Sequence, residues 1–359
     1  MATTRRELLK AATAMTIAGA LPAIARADSA DDKREPIEEL VSDFMEAQHI
    51  PASSLAFARP NALLLRQAWG VIEWGGDAAT TDHLFRIASV SKPITAVAIF
   101  ALIERGYLKL DNTVFGDGSL LKGEFGADLP DNLNAITVRH LLMHTCGGWP
   151  NDGRGPTLIH PEMPQREWLE WVLRRRPLQV EPGTKYIYSN FGYCVLGWII
   201  RKLTAQSYAD FVRETVLKPC KISAMQLATR EQAKGEVRYY DQTGDDPYAR
   251  NMERLEGCGC WLATPTDLVR FATRFPELLK PATVETMTTA SELNRNVACG
   301  WSINERGTLW HSGGIAGTNA FVVRLKSGLC WAALINTSGK ESLKALNELM
   351  WKIAGLLEK

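Results

Sequence analysis

The chain carries almost no net charge. Its 359 residues hold 41 Lys and Arg against 40 Asp and Glu, a formal +1. That leaves no electrostatic case for a nucleic acid or a strongly acidic partner. Long apolar runs are scarce as well. A bilayer-spanning helix needs about 20 apolar residues. Beyond the N-terminus the richest stretch, Phe191 to Leu203, is shorter than that and predicts a buried helix instead of an anchor. There is no G-x-S-x-G nucleophile elbow, no G-x-x-x-x-G-K-[ST] phosphate loop and no H-E-x-x-H zinc helix, which removes three common routes to catalysis. Repeats and low-complexity linkers are missing too. The cysteines, Cys146, Cys194, Cys220, Cys258, Cys260, Cys299 and Cys330, are odd in number, so at least one has no partner within the chain. Cys258-Gly-Cys260 is read as small buried residues ahead of a helix, not as a metal or redox pair.

What is present begins at the N-terminus. Thr4-Arg5-Arg6-Glu-Leu-Leu-Lys10, an apolar stretch from Ala11 to Ala25, and Ala25-Arg26-Ala27 before Asp28 resemble a twin-arginine export signal with its cleavage site. Residues 1–27 are therefore expected to be a signal peptide read by export machinery. The mature protein would be periplasmic or secreted, with no stable membrane anchor.

Three short motifs carry the chemistry. Ser89-Val-Ser-Lys92 opens an apolar run that ends at Gly106, which predicts one buried helix with glycine just past its end. Residues three apart share a helix face, so the Lys92 amine should lie beside the Ser89 hydroxyl. A serine is a poor nucleophile until an adjacent base removes its proton, and burial pushes an amine toward its neutral, basic form. Further along stand Tyr188-Ser-Asn190 and then His311-Ser-Gly-Gly314.

The order S-x-x-K, Y-x-N, [K/H]-[S/T]-G resembles the serine β-lactamase and penicillin-binding-protein superfamily. The tyrosine points to the branch of class C β-lactamases, D-Ala-D-Ala carboxypeptidases and family VIII esterases. His83-Leu-Phe-Arg-Ile-Ala88, Ile136-Thr-Val-Arg-His-Leu-Leu-Met-His-Thr-Cys-Gly-Gly148 and Glu181-Pro-Gly183 extend the likeness over roughly residues 35 to 357. The resemblance implies Ser89 as nucleophile, Lys92 as first base and Tyr188 as second proton-transfer group. It implies Asn190 as a hydrogen-bonding partner of Lys92 or of a substrate amide. It also implies His311, Ser312, Gly313 and Gly314 as a substrate-binding triplet and its neighbour, with the N–H groups of Ser89 and Gly314 forming an oxyanion hole. No cofactor is implied. His311 stands where most β-lactamases have lysine. Histidine is only partly charged near neutrality, so strong β-lactamase activity is not expected. His311 should gain charge as pH falls through about 6.5.

The fold class predicted is α/β (α+β). Helix-plus-hairpin patterns occur at both chain ends, Glu35–Gln48 with strands near 54–58 and 62–68, and strands near 319–326 and 329–336 with Glu341–Leu357. They suggest one antiparallel sheet built from both ends and covered by terminal helices. Residues 28–110 and 256–359 would form this domain, and 111–255 a mainly helical insertion, with the site between them. The function expected is an exported serine hydrolase acting through a Ser89 acyl-enzyme on an ester, D-amino-acid peptide or β-lactam carbonyl, with a small molecule or peptide as substrate. Two alternatives stand beside it. One is a non-catalytic penicillin-binding-like protein. The other is a metallohydrolase using His140 and His144, four apart and able to share a helix face, although the intervening Leu-Leu-Met lacks the glutamate of a zinc helix.

Overall fold

The computed structural model describes residues 34–126, 128–152 and 155–358. The expected export signal lies outside them. The main sheet has six strands: β1 (Ala52–Arg59), β2 (Ala62–Gly70), β3 (Ser302–Ile303), β4 (Leu309–Ile315), β5 (Thr318–Arg324) and β6 (Cys330–Ile335). Their spatial order is β2-β1-β6-β5-β4-β3, and every neighbouring pair is antiparallel. The sheet is thus closed by pairing β1, near one chain end, with β6, near the other.

Period-two alternation decides which side chain goes where. Leu55, Phe57, Phe321, Val323, Trp331 and Ala333 share one face with Ile37, Val41 and Met45 of helix α1 (Arg34–Ala47) and with Leu346, Met350 and Ile353 of the C-terminal helix Ser342–Leu357. The alternate residues, Ala56, Ala58, Ala320, Val322, Ala332 and Leu334, face inward. Most are small, which lets the helix Pro265–Arg274 pack close against β1 and β6. The same core continues from that face through the helices Val138–Leu142, Gln165–Arg175 and Asn190–Thr204.

The helix that follows Ser89 is the spine of that core. It runs Ser91–Glu104, is apolar all round, and twelve of its residues from Ser91 to Leu102 are buried. Its start differs from the expectation. Ser89 is not inside it but on a 3₁₀ turn, Ala88–Val90, directly before it. Pro93 fits the first helical turn, where the N–H it lacks would have no partner anyway. Ala88 takes a left-handed φ of +44° that no regular helix admits. No helix among the described residues is long and apolar enough to cross a membrane.

Candidate active site

Lys92 is the hub of the site. It is fully buried, and its Nζ makes three contacts: Ser89 Oγ at 2.9 Å, Asn190 Oδ1 at 2.7 Å and the Cys258 carbonyl oxygen at 2.9 Å. All three can accept. An ammonium would donate to each. A neutral amine could donate to Asn190 and Cys258 and turn its lone pair to the Ser89 hydroxyl. Either way the amine has no freedom to swing off the serine, and its burial is offset by complete hydrogen bonding.

The Asn190 amide is held as well. Its Nδ2 donates to Asn151 Oδ1 at 2.6 Å, which leaves Oδ1 to face Lys92. The Asn151 N–H donates to the Tyr188 carbonyl at 3.1 Å. Asn151 thereby ties the tyrosine loop to the asparagine amide. No motif marks it, because its role depends on a loop crossing another loop. The Cys258 carbonyl is equally unmarked, since any residue supplies one. It is delivered by Gly257 (φ +84°), where a Cβ would lie 2.2 Å from the Tyr193 carbonyl oxygen. Only glycine lets this turn sit on the helix Asn190–Thr204. Cys258 packs on Cys194, Sγ to Sγ 3.5 Å, and all seven cysteines are free and buried.

Tyr188 sits in the loop before that helix, half-buried, with its ring 5.0 Å from Lys92 Nζ and 4.3 Å from the His144 ring. The segment 136–148 is its scaffold. The His144 carbonyl accepts from Ile187 N–H at 2.8 Å, and the Thr145 carbonyl accepts from Gly183 N–H at 2.8 Å. His144 Nδ1 accepts from Ser189 N–H at 3.1 Å, and Tyr193 Oη donates to the Leu142 carbonyl. The two histidines of this segment do not share a helix face as expected. The helix stops at Leu142, His144 turns left-handed at φ +58°, and His140 Nδ1 instead accepts from Thr137 N–H in the helix-capping box. No cluster of three or more metal-binding side chains occurs among the described residues.

The third motif lies on β4. Its register with β5 pairs His311 with Val322, Ser312 with Phe321, Gly313 with Ala320 and Gly314 with Asn319. His311 and Gly313 therefore lie on the inner face, and Ser312 and Gly314 on the other. The two-residue turn between Ile315 and Thr318 makes the odd-numbered residues exchange bonds with β5. The N–H of Gly314 then points to the free edge beyond β3, beside the turn that carries Ser89. Gly313 is what allows the approach: a Cβ there would lie 2.1 Å from the Ile87 carbonyl oxygen.

Electrostatics differ from the expectation at His311. It is buried, and burial together with the neighbouring Lys92 lowers its pKa from the usual 6.5 to about 3. The imidazole is neutral across the physiological range, so it does not gain charge near pH 6.5. His144 is pushed down in the same way, by burial first and then by Lys92 and His311.

Comparison with known proteins agrees with this geometry. The family model described as Beta-lactamase matches residues 37–355. Among curated proteins the chain is 24% identical to Protein flp of Staphylococcus aureus (strain N315), covering 82% of this chain and 61% of that protein. It is 25% identical to Penicillin-binding protein 4* of Bacillus subtilis (strain 168), covering 82% and 69%. The chain thus spans about three-fifths of the length of the first of these relatives. Among solved structures, D-amino acid amidase from Ochrobactrum anthropi SV3 superimposes with a TM-score of 0.76 at 23% identity, covering 91% of this chain and 99% of that one. The octameric penicillin-binding protein homologue from Pyrococcus abyssi gives 0.73 at 21% identity, covering 90% and 77%. At these identities the likeness is one of fold.

Proposed function

Given that the chain belongs to the beta-lactamase family, a family of serine hydrolases, we propose that it is an exported hydrolase that forms an acyl-enzyme on Ser89. The observation that carries this reading is the contact of Lys92 Nζ with Ser89 Oγ at 2.9 Å, with the other two amine contacts already satisfied by acceptors. The Lys92 amine takes the Ser89 proton as Oγ attacks the substrate carbonyl. The charge that develops on the carbonyl oxygen is received by the N–H groups of Ser89 and Gly314. A single donor of this kind is typically worth about 10²–10³ in rate. The leaving amine or alcohol collects a proton delivered from Lys92 through Tyr188, whose ring lies beside the amine. Water then attacks the acyl-enzyme by the reverse relay, and Ser89 recovers its proton.

The substrate proposed is an ester or amide of a D-amino acid or D-residue peptide. Its support is the likeness to a D-amino acid amidase and to penicillin-binding proteins, together with a neutral imidazole where β-lactamases resemble one another in having lysine. The export reading rests on Arg5-Arg6 and Ala25-Arg26-Ala27. The test is mass spectrometry after treatment with a fluorophosphonate, alongside turnover of D-alanine nitrophenyl ester and D-phenylalanine amide. The adduct should map to the peptide containing Ser89, and Ser89→Ala should lose both labelling and turnover. Undiminished turnover in Ser89→Ala removes the mechanism.

A further inference from the structure

His311 Nδ1 lies 2.7 Å from the carbonyl oxygen of Ser312. A carbonyl can only accept. The ring proton must therefore sit on Nδ1, and Nε2 must carry a lone pair. Nε2 has no hydrogen-bond partner among the described residues. The ring lies on the inner sheet face next to Lys92, and Lys92 Nζ is already in contact with Ser89, Asn190 and Cys258. The site thus holds one oriented acceptor, free of described protein partners, at the motif position where a lysine would present a cationic donor.

We propose that Nε2 of His311 accepts a hydrogen bond from the substrate, so that the group bound there is an N–H or O–H donor and not a carboxylate. This deepens the acyl-enzyme reading and rests on it. The substrate class becomes a D-residue peptide or amino acid whose terminal group is an amide, amine or alcohol. A carboxylate in the same place would set lone pair against lone pair. A donor engages an acceptor that no described protein group engages. The tautomer is fixed locally, by a bond to the next residue along the strand, so it does not depend on what the rest of the site binds. The low pKa keeps the lone pair free of a proton above pH 5.

The experiment compares an N-acylated D-Ala-D-Ala carrying a free C-terminal acid with the same peptide as its C-terminal amide, at pH 7. The wild type should favour the amide in kcat/KM by about 10-fold, the value of one hydrogen bond of roughly 1.4 kcal/mol. His311→Gln, which can still present an oxygen acceptor, should keep the preference. His311→Lys should reverse it. Protection of Ser89 from fluorophosphonate labelling reads the same ratio as binding if turnover is slow, and the wild-type comparison stands alone if a variant fails to fold. Preference for the acid, or equal treatment of the two peptides, overturns the inference. Labelling at Ser89 in the same samples separates the two claims. A labelled Ser89 with the wrong preference removes only the role of His311, whereas failure to label removes the serine mechanism beneath it.

Discussion

Replacing Gly313 with alanine tests whether backbone contact between β4 and the turn at Ser89 holds the site together. The added Cβ would lie 2.1 Å from the Ile87 carbonyl oxygen and 3.2 Å from Ala88 Cβ. Non-bonded heavy atoms rest at about 3.5 Å, so strand and turn must part by roughly 1 Å. Neither side can yield by rotating a side chain, because the clash is with backbone on both. The turn is constrained further by the left-handed Ala88 and by the Ile87 N–H, which donates to the Trp261 carbonyl at 3.1 Å. Overpacking of this kind costs about 1–3 kcal/mol of stability. A displacement of about 1 Å between reacting groups can lower a rate about 100-fold, equivalent to about 2.7 kcal/mol of barrier. Gly313→Ala should therefore fold with a reduced denaturant midpoint and lose about two orders of magnitude in kcat on a nitrophenyl ester. Gly355→Ala is the contrast. That glycine lies on the C-terminal helix with nothing within 4 Å of a built Cβ, so alanine should add about 0.5–1 kcal/mol of stability and leave kcat alone. A Gly313→Ala enzyme within twofold of wild-type kcat would refute the claim that strand and serine turn share one fixed geometry.

Asn151→Ala should lower kcat on the same ester by about 10-fold, roughly one hydrogen bond's worth, with little change in KM, because the freed Asn190 amide can flip and set its N–H₂ against Lys92; an unchanged kcat argues against Asn151 as a positioning residue. His311 and His144 are held neutral in the folded protein while the unfolded chain takes up protons below about pH 6.5, so their contribution to stability is present above that pH and is lost as pH falls toward about 3, the folded pKa of His311. Each can add at most about 1.4 kcal/mol per pH unit, and urea midpoints at pH 7.5, 6 and 5 should fall in order, more gently in His311→Gln; a flat series contradicts the burial argument. Changing Arg5 and Arg6 together to lysine should trap unprocessed precursor in the cytosol, and normal appearance of a mature chain starting near Asp28 would exclude the twin-arginine route.

What the sequence reveals and what it conceals divide along a physical line. Alternation in β1 and β6 shows which side chains line each sheet face because the two-residue period is local. The three-residue spacing of Ser89 and Lys92 survives even though Ser89 falls outside the helix, since a 3₁₀ turn feeding an α-helix still brings i and i+3 to one side. Concealed features are those imposed from a distance. The left-handed turn of Ala88 is set by β4 and Trp261. Separation of His140 from His144 follows from a helix end that no glycine or proline marks; instead the chain turns to feed the tyrosine loop its carbonyls. Asn151 and the carbonyl of Cys258 matter only because loops far from Lys92 in sequence, 166 residues away in the case of Cys258, converge on one amine and its asparagine partner. His311 shows the distinction most plainly. Its position in the motif order is legible, and its ordinary titration would make it a partial cation. Yet its charge is decided by burial beside Lys92, and its hydrogen-bonding sense by the Ser312 carbonyl. Residue identity therefore locates the strand proposed to bind substrate, while the polarity proposed for its ligand rests on the packing around a single imidazole.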